Sequence, residues 1–129
     1  MNIGKAAKFS NLTVKAVRYY ANIGLVKPQQ NITTGYRDYT DDEVSKLKFI
    51  GKARKFDFSI EECRELLSLY EDKNRTSKEV KKMTLEKISQ IDSKLRDLNS
   101  LKKELSFLAN NCHGDDRPNC PILEELSKK

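Results

Sequence analysis

Seven aliphatic residues, Ile88, Ile91, Leu95, Leu98, Leu101, Leu105 and Leu108, follow one another at intervals of 3, 4, 3, 3, 4 and 3. That alternation draws one apolar seam along an α-helix, with charged residues on the remaining faces. Thr76 and Glu79 form a T-x-x-E capping box at its start. The spacing predicts a helix over 77–109, a rod of about 50 Å at 1.5 Å per residue. Such a rod overreaches any single domain that a 129-residue chain can build, so the seam needs a partner. A second copy of the same helix is the economical one, and a homodimer is expected.

The charge is divided unevenly about this rod. Residues 1–58 hold 11 Lys/Arg against 5 Asp/Glu, whereas residues 59–129 hold 14 of each, so the whole net charge of +6 sits in the first half. A local excess of that size suits a polyanionic partner, nucleic acid first. No run of about 18 apolar residues exists to span a membrane. The N-terminal stretch MNIGKAAKFSNLT has no apolar signal-peptide core, and a cytoplasmic location is expected.

The basic half reads as short helices. In NIGKAAKF, Ile3, Ala6 and Ala7 share a face. Thr13 then caps VKAVRYYANIG, in which Ala16, Val17 and Tyr20 point inward while Val14, Lys15, Arg18 and Tyr19 point outward. Two short helices joined by a tight turn make a helix-turn-helix, whose second helix can enter the major groove. From 27 to 39, KPQQNITTGYRDY loses helical periodicity. Pro28 and Gly35 punctuate it, and Tyr36, Arg37 and Tyr39 suit a short strand of a hairpin wing. Thr40 with Glu43 and Ser59 with Glu62 cap two further helices, to about Lys55 and about Tyr70. The single His and the lack of a serine elbow or phosphate loop give no sign of an enzyme.

Three cysteines remain. Cys63 lies in a helical pattern, where a small buried apolar residue is the default. Cys112 and Cys120 flank HGDDRPN. Without a secretion signal a disulfide framework is disfavoured, and a metal site, a redox pair or two plain thiols stay open.

Taken together, VRYYANIGLVKP, GYRDYT, EVSKLKFIGKARKFDFSIEE, the long seam and C-H-G-D-D-R-P-N-C-P-I resemble, in this order, the MerR family of bacterial transcription regulators, and the ending is similar to its copper-efflux subgroup. The resemblance implies a mostly α fold. A winged helix-turn-helix DNA-binding domain over 1–70 leads through a hinge at 71–76 to a long antiparallel coiled-coil dimerisation helix over 77–109, and a metal-binding loop and short helix follow over 110–129. It implies base reading by Lys15 and Arg18 with Tyr19 beside them, and phosphate contacts from Tyr36, Arg37 and Arg54. Asn31 departs from relatives that carry a basic wing residue there.

For the thiols it implies Cys112 and Cys120 as ligands of Cu(I), with Ag(I) and Au(I) as surrogates, because soft thiolates select soft monovalent ions. Ser77 stands where sensors of divalent ions place a cysteine, and its neutral hydroxyl suits a second-sphere role. His113 as a third ligand would move the site toward zinc, whereas Asp115 and Asp116 read as loop chemistry. The function implied is a copper-responsive activator. It binds promoter DNA as a homodimer, distorts it for RNA polymerase and switches on copper-efflux genes. A thiol redox sensor and a Zn(II)- or Hg(II)-sensing regulator of the same family are the rival readings.

Overall fold

The computed structural model describes residues 1–30 and 32–129; the wing position Asn31 lies outside the described residues. Within them the chain is mostly helical and forms two compact units, Met1–Lys82 and Met83–Lys129.

The first unit opens with the expected helix-turn-helix, α1 (Ile3–Ser10) and α2 (Val14–Asn22). Asn2 caps α1 by accepting from the Lys5 amide at 2.9 Å. The helix stops at Asn11, whose φ of 58° is left-handed, a conformation that asparagine tolerates. Thr13 then caps α2, accepting from the Ala16 amide at 3.0 Å. Gly51, midway along α3 (Asp41–Lys55), marks where this turn presses on the third helix. A Cβ there would lie 3.2 Å from Leu12 Cδ2.

The wing is a minimal antiparallel ribbon of β1 (Gln29–Gln30) and β2 (Arg37–Asp38), with Gln29 opposite Asp38 and Gln30 opposite Arg37. Tyr36 and Tyr39 flank β2 rather than lie within it. Two of the three expected capping boxes are present, Thr40–Glu43 on α3 and Ser59–Glu62 on α4 (Ile60–Glu71). Each satisfies two otherwise orphaned amides reciprocally.

The core of this unit gathers one face from each helix. Ala6, Val17, Tyr39, Leu47, Ile50 and Cys63 are all fully buried. Cys63 therefore plays the apolar part expected of it, its Sγ 3.8 Å from the Phe58 carbonyl. Tyr20 and Tyr39 are core residues as well.

The long helix α5 (Ser77–Asn111) begins directly after Thr76. It runs on to Asn111 instead of stopping at 109, because its last turn is locally satisfied. Asn111 Nδ2 donates to the Phe107 carbonyl at 2.9 Å, and the Cys112 amide to the Ala109 carbonyl at 3.2 Å. In the second unit the seam from Ile88 to Leu105 is exposed, and Leu108 is half-buried. A loop then leads to α6 (Pro121–Ser127), with Pro121 at its first turn.

Candidate DNA-binding face and thiol pair

Helical spacing sets Lys15, Arg18 and Tyr19 on one outward face of α2, all three exposed. On the opposite face Val17 and Tyr20 anchor the helix in the core. An exposed guanidinium beside an ammonium and a phenol can pair with a guanine edge and adjacent phosphates. Tyr36 and Arg37 are exposed on the wing. Arg37 Nη2 donates to Asn22 Oδ1 at 3.0 Å, which ties the wing to the end of α2. Next to this tie Tyr39 is fully buried. Burial raises its pKa, and the nearby Arg37 and Arg18 cations pull against that rise.

Arg54 stands at the end of α3 with a structural duty: Nη1 donates to the Phe58 carbonyl at 2.9 Å, closing the turn into α4. Burial also raises the Tyr20 pKa, and the Arg54 cation opposes that shift. Two contributors went unseen in the sequence. Asn22 orients Arg37, and Arg64 of α4 donates to the Ile23 and Gly24 carbonyls at 3.1 and 3.4 Å, holding the end of α2. Asn22 lies in the helix pattern without a mark of its own. Arg64 acts across 41 residues, a separation that leaves no local signature.

In the second unit the structure brings Cys112 and Cys120 together, their Sγ atoms 3.9 Å apart and both partly accessible. Two thiolates on one ion at about 2.3 Å each are at most about 4.6 Å apart, so this separation lies within the span of a single metal ion. The residues present therefore fit a soft ion. Cys120 precedes α6, and hydrogen bonding from the Leu123 amide, with help from Ile122 and Cys112, holds its thiol below the ordinary range. Asp115 is engaged in the loop, accepting from the Arg117 amide at 2.9 Å and from Arg117 Nε at 2.7 Å. Among the described residues no group of three or more His, Cys, Asp or Glu comes together to hold a metal. Ser77 opens α5 and Cys112 follows its last residue, so the two stand at opposite ends of that helix. No helix among the described residues is long and apolar enough to cross a membrane.

The chain is similar to known proteins in sequence and in fold. Residues 1–70 match the family described as "MerR HTH family regulatory protein", and residues 44–108 match "MerR, DNA binding". The chain is 50% identical over 127 residues to the HTH-type transcriptional regulator HmrR of Rhizobium leguminosarum bv. viciae, with 98% of each chain covered. It is 43% identical over 127 residues to the HTH-type transcriptional regulator CueR of Escherichia coli O157:H7, covering 98% of this chain and 94% of that one. Among solved structures it is similar to the transcription regulator PbrR691 from Ralstonia metallidurans CH34 in complex with lead(II). That match has a TM-score of 0.81 at 29% identity and covers 98% of this chain and 99% of that one. On sequence and fold alike, this chain belongs to the MerR family of helix-turn-helix, DNA-binding transcription regulators.

Proposed function

We propose that this regulator is a homodimeric, Cu(I)-responsive activator in which Cys112 and Cys120 hold the ion. The observation that carries this reading is the thiol pair, 3.9 Å apart with no third ligand gathered around it among the described residues. Cu(I) would supply a soft, low-coordinate centre that draws both sulfurs onto one ion. The amides of Leu123 and Ile122, which already favour the Cys120 thiolate, would stabilise the negative charge that two thiolates leave around a monovalent ion. The similarity to CueR supports copper. PbrR691 was solved with lead(II), so divalent ions belong in the test.

The exposed seam supports pairing of α5 with a second copy. In an antiparallel pair the start of the partner's helix comes to the end of this one, so the partner subunit's Ser77 would meet the thiol loop. In this reading Lys15, Arg18 and Tyr19 read bases, and Tyr36, Arg37 and Arg54 position the duplex on its phosphates. The hinge at 71–76 links these parts, and promoter DNA is deformed into a form that RNA polymerase uses. The same Sγ separation favours one rival, a dithiol that closes to a disulfide. In-vitro transcription from the cognate promoter with Cu(I), Ag(I), Zn(II), Hg(II) and Pb(II), and with peroxide in the absence of metal, separates these readings. Activation confined to the monovalent ions is expected. Activation by zinc equal to that by copper, or by peroxide alone, overturns the copper assignment.

A further inference from the structure

The five residues between α4 and α5, 72–76, are all exposed, yet their conformation is specified. Asp72 Oδ1 accepts from the Asn74 amide at 2.9 Å. Arg75 Nη1 donates to the Asp72 carbonyl at 2.9 Å and to the Tyr70 carbonyl at 3.3 Å. The Arg75 guanidinium also lies over the Tyr70 ring, 5.9 Å from its centre. That ring packs on Phe49 of α3 at 5.1 Å. One residue on, Glu71 pairs with Lys46 of α3 at 3.1 Å, and Lys46 also reaches Asp42 at 3.4 Å. The end of α4 is thus fastened to α3 twice, by a ring pair and by an ion pair, and Arg75 extends that fastening to the turn that launches α5.

Two features mark this cluster as more than packing. First, Tyr70 is 60% exposed, so an aromatic ring is spent outside the core, on a contact with an arginine and a half-buried Phe49. Second, the links are partly or fully exposed and individually weak, unlike the buried anchors of α4, Cys63 and Leu67. A joint made of weak links sharing one ring can be rearranged by an ion whose affinity differs about 5- to 150-fold between two states. A joint cemented in the core could not. Resting on the metal-responsive reading above, we infer that Tyr70, clasped by Phe49 and Arg75 and seconded by the Lys46–Glu71 pair, is the positioning residue that sets the switch equilibrium between the sensor loop and the DNA-binding unit.

Linkage supplies a signature. If the clasp favours one of two states, its removal shifts metal-free transcription and apparent metal affinity together, both up or both down, because both read the same equilibrium. A role in stability alone lowers the melting temperature and moves neither in concert. The experiment measures basal transcription, maximal induced transcription, metal affinity by competition with a Cu(I) chelator, and melting temperature. It compares the full-length dimer with Tyr70→Leu, Arg75→Ala and Tyr70→Phe. Tyr70→Leu and Arg75→Ala are expected to move basal output and affinity in the same direction by about two- to fivefold. Tyr70→Phe keeps the ring and should match the parent. Two outcomes overturn the inference: basal output and affinity unchanged in Tyr70→Leu while the parent is metal-responsive, or opposite movement of the two. A Tyr70→Leu chain that fails to fold transfers the same criterion to Arg75→Ala, whose side chain is outside the core. A parent chain that answers to no metal instead overturns the proposed function, and the inference falls with it.

Discussion

Arg37 and Arg18 present the same guanidinium group in different settings. Arg18 projects from α2 on the outward face, whereas Arg37 is steered by Asn22 at 3.0 Å. A fork free to meet a base edge should discriminate bases, and one fixed beside the wing should read backbone charge. Arg18→Ala is therefore expected to weaken operator binding by about 1–3 kcal/mol and to relax preference at one base position. Arg37→Ala should weaken binding to all sequences alike and flatten its salt dependence. Fluorescence anisotropy over single-base operator variants and a salt series tests both. Unchanged discrimination in Arg18→Ala removes it from the base-reading set. In the thiol pair, the amides that lower the Cys120 pKa keep its thiolate populated to lower pH than that of an ordinary thiol. Alkylation of the metal-free protein by iodoacetamide, followed by peptide mass spectrometry, should reach half its plateau rate for Cys120 at a lower pH than for an unstructured cysteine peptide measured alongside. A midpoint at or above that of the peptide contradicts the hydrogen-bonded geometry.

Secondary structure was legible wherever its cause was local. Thr13, Thr40 and Ser59 each satisfy an amide three residues on, so a short motif sufficed to place the starts of α2, α3 and α4. Ser59→Ala should cost about 1 kcal/mol of stability, within the usual 0.5–2, measured by urea unfolding; no change would mean that the capping box contributes nothing. The wing was harder to bound, because strands of two residues each are too short to show alternation. The links that fasten elements to one another left no trace in the pattern. Arg64 to the end of α2 and Lys46 to Glu71 depend on folding that brings distant charges together. Likewise, two cysteines flanking a seven-residue loop were visible as a motif. Their 3.9 Å approach depends on where α5 ends and α6 begins.

Along the chain, the basic helix-turn-helix unit comes before, and the thiol loop after, a 35-residue helix with an exposed seam. Exposure of Leu95, Leu98 and Leu101 leaves the chain incomplete as a monomer if the proposed pairing holds. Leu98→Asp would place an unpaired charge inside that pairing, at a cost too large for a modest interface to absorb. Analytical ultracentrifugation should show monomer or unfolded chain, and a dimer of normal stability would remove the seam from the interface. Cys112→Ser and Cys120→Ser change residues of the second unit only. Each should abolish metal-stimulated transcription while leaving metal-free operator affinity within about twofold, since a hard hydroxyl replaces half of a soft two-sulfur shell. Loss of operator binding in either variant would instead make the thiols structural. The copper reading stands or falls on what surrounds the ion. X-ray absorption of the Cu(I)-loaded dimer should show two short Cu–S distances and no nitrogen shell. A shell containing the nitrogen of His113, or three or more sulfurs, would contradict a two-thiolate monovalent centre.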